Sequence, residues 1–187
     1  MKVIGFCGYS GSGKTTLIEQ IIVCLTLAGQ RVSVIKHAHH RFDIDHEGKD
    51  SWRHRQAGAF EVVIASNRRL AKMREYEQPV EPEFHQLVAE LSDCDWALVE
   101  GFKRAALPKI EVWRAANGKP ALYPSDRHVM AIATDSPTAL PAPTGLPLFG
   151  LDQIDRIAEF MLANAARCEY AGPPAVLPAS APTAAES

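Results

Sequence analysis

The residues with the clearest chemistry are Gly8-Tyr9-Ser10-Gly11-Ser12-Gly13-Lys14-Thr15, which match G-x-x-x-x-G-K-[ST] in full. Glycines let the backbone turn tightly, so consecutive N–H groups can point at phosphate oxygens. A helix beginning at this turn would add partial positive charge at its N-terminus. Lys14 can bridge β- and γ-phosphates, and the Thr15 hydroxyl can ligate Mg²⁺. The expected phosphate-binding set is therefore Gly8, Tyr9, Ser10, Gly11, Ser12, Gly13, Lys14, Thr15 and Thr16. A triphosphate site also needs an acid near the metal. Glu100, at the end of an apolar run and followed by Gly101, is the first candidate, and Asp43 and Asp45 are the next. Lys14 and Glu100 are the expected catalytic pair, with Thr15, Asp45 and Glu100 expected at the metal.

A second cluster is Lys36-His37-Ala38-His39-His40. A zinc site is disfavoured, because no cysteine or further histidine completes a ligand set. The loop reads either as donors to an anion, from Lys36, His37, His39, His40, Arg41, Arg53 and Arg55, or as a plain solvated loop. The guanine signature Asn-Lys-x-Asp is absent. Ala131-Ile132-Ala133-Thr134-Asp135 nevertheless ends a strand in a carboxylate that could accept guanine N1–H and N2–H₂. On that reading, Asp135→Asn weakens GTP binding far more than ATP binding.

These residues need elements to hold them. Lys2 to Cys7 reads as a short buried strand. Lys14 to Ala28 reads as a helix, with Leu17, Ile18, Ile21, Ile22, Leu25 and Ala28 at three- and four-residue spacing and Gly29 as its stop. Arg31 to Lys36 is a second strand, which completes a β-α-β unit. Further strands are expected at Phe60–Ser66, Leu70–Glu75, Asp95–Glu100, Lys109–Arg114 and His128–Ala133. Helices are expected at Asp50–Ala57, Pro82–Leu91 and Leu151–Ala166. The alternation predicts an α/β, P-loop NTPase-like fold: a mostly parallel twisted sheet with helices on both faces. Loops at the carboxyl ends of parallel strands converge on the ligand crevice, so the candidates above could face one site.

The 187 residues suit one domain, expected over 1–168, followed by an Ala/Pro-rich tail, 169–187. All 13 prolines lie at or after Pro79. The net charge of −2 gives no global pull toward nucleic acid or an anionic membrane. That figure hides a local patch: Arg31 to Arg74 carries 10 of the 20 Lys+Arg and 5 of the 22 Asp+Glu, so it is basic by five charges. A patch of this size suggests phosphates more than a long polyanion. The four cysteines form no C-x-x-C pair, which fits a reducing cytoplasm. No apolar run approaches the roughly 18 residues that span a bilayer.

Taken in order, the motifs resemble the molybdopterin-guanine dinucleotide biosynthesis protein B (MobB) family of P-loop proteins. The resemblance rests on the P-loop, Lys36-His37-Ala38-His39-His40, Asp43-Ile44-Asp45 leading into Gly48-Lys49-Asp50-Ser51, Arg53 to Ala59, and Val99-Glu100-Gly101-Phe102-Lys103. Lys109-Ile110-Glu111-Val112 and Ala133-Thr134-Asp135 continue it, over about residues 1 to 165. It implies GTP and Mg²⁺ as cofactors, slow GTP hydrolysis, a homodimer, and an accessory role beside the guanylyltransferase that attaches GMP to molybdopterin. Arg53, Arg55, Lys103 and Lys109 would then face a second anion, on molybdopterin or its guanine dinucleotide. His37, His39, Arg53, Lys103 and Asp135 complete the expected cofactor-binding set. The competing reading is a P-loop small-molecule kinase that transfers the γ-phosphate of a nucleoside triphosphate. No long arginine-rich lid appears in the later half of the chain to support it.

Overall fold

The computed structural model describes residues 1–38 and 42–172. The candidates His39, His40 and Arg41 and most of the expected tail lie outside the described residues. The chain divides into two compact units, Met1–His37 with Phe84–Ser187, and Ala38–Glu83.

The first unit is built on a six-stranded sheet. Its strands are β1 (Lys2–Cys7), β2 (Val32–Lys36), β5 (Trp96–Glu100), β6 (Lys109–Trp113), β7 (Val129–Thr134) and β8 (Leu148–Phe149). Their order is β2-β5-β1-β6-β7-β8, and every neighbouring pair is parallel. The central strands are buried on both sides, which explains their unbroken apolar runs. Alternate residues of β1 enter different cores. Ile4 and Phe6 join the face covered by α1 (Lys14–Leu27) and α4 (Ile154–Ala163). Val3 joins Ile35, Ala97, Val99 and Val88 under α3 (Phe84–Ala89). The helices thus cover both faces, as the alternation of elements predicts.

Leu17, Ile18, Ile21 and Leu25 are the buried stripe of α1. At about 1.5–3 kcal/mol for each fully buried side chain, that stripe anchors the helix that follows the glycine-rich turn. The expected helix over Leu151–Ala166 is α4 followed by a separate 3-10 turn, Ala165–Cys168. The two-residue strand β8 has no sequence signal, because it is too short to show a period. The last described residues are tied down: Glu169 bridges Lys2, and the Tyr170 N–H donates to the Met1 carbonyl at 3.0 Å.

Two charged side chains of β6 are fully buried. Lys109 donates to the Lys103 carbonyl at 2.8 Å and pairs with Asp126. Glu111 accepts the backbone N–H groups of Leu122 and Tyr123, both at 2.7 Å. Burial pushes Glu111 up from the usual carboxylate range, and those two bonds oppose the shift. Glu111→Ala leaves two N–H groups without their acceptor. The expected loss is about 3 kcal/mol of unfolding free energy, read by urea denaturation. Burial likewise raises Cys7 to about 12, so its thiol stays protonated at neutral pH.

The second unit holds α2 (Asp50–Gln56) and an antiparallel pair, β3 (Glu61–Ala65) and β4 (Leu70–Arg74). Arg55 is its hub. Its guanidinium reaches Glu75 at 2.7 Å, Asp43 at 3.0 Å and Asp45 at 3.2 Å. Glu75, then the Asp43 and Asp45 contacts, hold Arg55 above its usual range. Asp43 is held below the carboxylate range by the Asp45 N–H and by Arg55.

Among the described residues, no helix is long and apolar enough to cross a membrane.

Candidate functional site

The turn between β1 and α1 forms a concave, glycine-lined cradle. Gly8 has φ +133°, and a Cβ there would lie 2.3 Å from the Val112 carbonyl oxygen, so this strand end and β6 approach as only glycine allows. Gly13 begins α1 at φ +93°. No side chain caps the helix, and its first turn holds no acidic residue. The first N–H groups of α1 are thus left for a ligand. The Ser12 hydroxyl lies against this turn, fully buried and without a hydrogen-bond partner. An unpartnered buried hydroxyl is costly unless a ligand completes it.

Two lysines flank the cradle. The Lys14 ammonium donates to the Tyr9 carbonyl at 2.9 Å. Burial pulls Lys14 below the usual lysine range, Glu100 opposes that, and Lys103 adds to it. Lys103 sits over the Tyr9 ring, 4.1 Å from its centroid. Both cations are therefore parked on Tyr9, one on its carbonyl and one on its ring.

Glu100 ends β5 beside β1 and meets Thr15. The Thr15 hydroxyl donates to one carboxylate oxygen at 2.8 Å, and Lys36 pairs with the other at 3.4 Å. After Glu100 the chain turns through Gly101 (φ +104°) and Phe102 (φ +46°). The His37 ring stacks on Phe102 with centroids 4.8 Å apart. Thr15, Lys14, Lys36, His37, Glu100 and Lys103 are thus gathered at the carboxyl ends of β1, β2 and β5.

Arg114, which the sequence reading did not single out, joins the site from the end of β6. Its Nε donates to the Ser12 carbonyl at 3.0 Å, and Nη1 lies 3.4 Å from an Asp135 carboxylate oxygen. The available signal was its position as the last residue of the expected strand Lys109–Arg114, at the crevice end of a parallel sheet. Asp135 follows β7 and opens onto a cavity of about 660 Å³ that also meets Arg114, Phe149, Asp152 and Arg156.

Other expected residues have different work. Arg55 is saturated by three carboxylates, and Lys109 is buried on Asp126 and the Lys103 carbonyl. Neither is a donor to a second anion, which corrects that expectation. A basic run read without its partners overstates its free donors. Asp45 belongs to the second unit, where it accepts from Ser51 at 2.9 Å, the His46 N–H at 2.9 Å and Arg55. Arg53, in the same unit, is an exposed residue of α2. Among the described residues, no group of three or more His, Cys, Asp and Glu could hold a metal on its own.

Comparison with known proteins bears on this site. The profile of the family described as "Molybdopterin guanine dinucleotide synthesis protein B" matches residues 3–135, which includes the P-loop, Glu100, Arg114 and Asp135. The molybdopterin-guanine dinucleotide biosynthesis adapter protein of Haemophilus influenzae is 42% identical over 161 residues, covering 86% of this chain and 88% of that one. Its Escherichia coli counterpart is 37% identical over 165 residues, covering 87% and 92%. A crystal structure of molybdopterin-guanine biosynthesis protein B superposes with TM-score 0.65 at 32% identity, covering 86% of this chain and 98% of that one. The MobB homologue from Bacillus stearothermophilus, at 22% identity and TM-score 0.67, shares the fold over 89% and 99%. With its glycine-rich loop, its acidic strand end and five of the six sheet strands in or overlapping the matched span, the chain belongs to the MobB family of molybdopterin guanine dinucleotide synthesis proteins.

Proposed function

We propose that this chain is an adapter protein of molybdopterin guanine dinucleotide biosynthesis that binds Mg-GTP at its P-loop. It hydrolyses GTP slowly and assists the guanylyltransferase that joins GMP to molybdopterin. The observation that carries the reading is the buried, partnerless Ser12 hydroxyl beside the uncapped start of α1, in a cradle that a Cβ at Gly8 would fill. Such a cradle suits phosphate oxygens, which accept from N–H and O–H groups alike.

The residues present also fit a magnesium ion. The hydroxyl of Thr15 and the carboxylate of Glu100 are both oxygen donors, as Mg²⁺ demands, and they already touch. Bound there with the phosphates, the metal would offset charge on the β- and γ-oxygens. Asp45 is left out of this set, because its oxygens serve Arg55, Ser51 and the His46 N–H. Lys14 exchanges the Tyr9 carbonyl for phosphate oxygens, and the α1 N–H groups hold the remainder. Glu100 is assigned to the metal beside Thr15, so it is not the group that orients an attacking water. That supports slow turnover. Lys103 remains as a candidate for the phosphate of molybdopterin or its dinucleotide. The reading includes a homodimer working in the cytoplasm.

The test is calorimetric titration with GTP, with and without Mg²⁺, followed by single-turnover hydrolysis alone and with the guanylyltransferase. Expected are Mg²⁺-dependent binding, turnover far below ordinary kinase rates of about 1–100 s⁻¹, and co-sedimentation with the transferase as a dimer. Fast phosphoryl transfer to a small metabolite would replace the adapter with the kinase reading.

A further inference from the structure

We infer that Lys109, anchored on Asp126, is a positioning residue for anion binding: it holds the Lys103 ammonium over Tyr9, so that a phosphate at this loop meets two lysines instead of one. The inference rests on the P-loop reading for the phosphate. It adds a second cation and the buried pair that sets it in place.

The segment that carries Lys103 has an unusual course. Residues 101–108 lead from the end of β5 to the start of β6, and β1 lies between those two strands in the sheet. The connection must therefore cross the face of β1. Gly5 permits that crossing, because a Cβ there would lie 2.7 Å from Leu107 Cδ1 and 2.9 Å from Lys109 Cγ. The Gly5 N–H donates to the Pro108 carbonyl at 2.8 Å, which ties the end of the segment to β1. Within it, the Ala105 N–H donates to the Phe102 carbonyl at 2.9 Å, and the Leu107 N–H to the Ala105 carbonyl at 3.0 Å.

Lys103 is fixed from both sides of its own backbone. Before it, Phe102 keeps a positive φ of 46°, with its ring stacked on His37 and edge-on to Phe84 at 5.9 Å. A non-glycine residue holds such a conformation only where its surroundings impose it. After it, the Lys103 carbonyl accepts from the Lys109 ammonium at 2.8 Å. Lys109 is 1% exposed, and its other partner is Asp126. Asp126 in turn accepts the His128 N–H at 2.9 Å. Burial works against the Asp126 charge, but Lys109 and the His128 N–H outweigh it and hold the carboxyl below its usual range.

A buried ion pair contributes little stability over an apolar pair of the same volume, so its value lies in the geometry that it specifies. Here that geometry is the placement of one carbonyl, and the side chain on the same residue reaches the P-loop. Lys103 lies over the Tyr9 ring while Lys14 bonds the Tyr9 carbonyl. The two cations are close enough that Lys103 lowers the proton affinity of Lys14. An anion between them relieves that repulsion. Lys103 thus adds to Lys14 rather than replacing it.

The experiment first measures how fast an acetylating reagent modifies each lysine of the full chain, mapped by mass spectrometry. The samples are free protein, protein with saturating Mg-GTP, and the same with added inorganic phosphate. Lys14 and Lys103 are both expected to be protected in wild type. Protection of Lys103 by Mg-GTP alone makes the nucleotide's phosphates the source, and protection only after phosphate is added makes it a second anion. Lys14 protected with Lys103 modified at its free rate throughout overturns the inference and leaves the P-loop reading standing. Neither lysine protected overturns the P-loop reading, and the inference falls with it. The anion that protects Lys103 is then titrated into variants. Lys103→Ala is expected to lose about tenfold in affinity, the worth of one charge-assisted bond. Lys109→Met loses several-fold alone and nothing further in the Lys103→Ala background, because it acts through Lys103. An equal loss in both backgrounds, or a lower melting temperature with full affinity, marks a structural role only and overturns the inference. Asp126→Asn, which keeps an oxygen acceptor for Lys109, is the second route where Lys109→Met does not fold. The same non-additive loss is expected, and unchanged affinity overturns the anchoring.

Discussion

Replacing Lys14 with alanine is expected to lower GTP affinity by about 100-fold or more while leaving the melting temperature of the free protein unchanged. Each charge-assisted bond to a phosphate oxygen contributes about 1.5–3 kcal/mol, and a lysine bridging two phosphates makes at least two. The fold should tolerate the loss. The ammonium is bonded only to the Tyr9 carbonyl within its own loop, and the helix it begins is anchored by Leu17, Ile18, Ile21 and Leu25. Truncation also removes a cation that is partly desolvated and repelled by Lys103. Lys103 does not substitute, since it rests on the Tyr9 ring. The measurement is fluorescence titration with a labelled GTP analogue, paired with a thermal melt of the unliganded variant. GTP affinity retained in Lys14→Ala would contradict the whole assignment of the cradle.

The first unit was legible in sequence where one signal sufficed. The β1-α1-β2 stretch carries an unbroken apolar run, a glycine turn and a stripe at helical spacing, and each element forms within two residues of the expected span. Glu100 was legible because an acid after four apolar residues must end a buried strand. Arg114 was not, because its meaning lies in partners distant in sequence: the Ser12 carbonyl 102 residues away and Asp135 across β7. Nothing in its neighbourhood separates it from any arginine after a strand.

The basic stretch misled for the opposite reason. Counting charges from Arg31 to Arg74 made Arg55 look available, yet Asp43 and Asp45 within the count and Glu75 just beyond it converge on that guanidinium. Lys109 misled similarly, because its partner Asp126 sits in a loop with no pattern of its own. Composition reports how many charges a segment carries. Whether a cation is free for a ligand depends on pairing, which only the fold decides.

Glycine substitutions in the P-loop separate the shape of the cradle from its charge. Gly8→Ala is expected to cost about 3 kcal/mol or more, combining a strained positive φ with overpacking. The added Cβ would lie 2.3 Å from the Val112 carbonyl oxygen, and Val112 cannot retreat because β6 is paired on both sides, with β1 and β7. Ser12 Oγ, at 3.1 Å from the same point, would also be displaced, so the cradle deforms as stability falls. Gly11 is the control. It too has a positive φ, +80°, but the nearest atom to its added Cβ is Asn117 Oδ1 at 3.7 Å. Gly11→Ala therefore meets only backbone strain, about 1–2 kcal/mol. Urea denaturation and GTP titration of both variants give the comparison. Gly8→Ala should lose stability and binding together, Gly11→Ala a little of each, and Lys14→Ala binding alone. If Gly8→Ala and Gly11→Ala prove equally mild, the close approach of β1 and β6 is not what shapes the phosphate cradle, and the buried Ser12 hydroxyl loses its claim to a ligand.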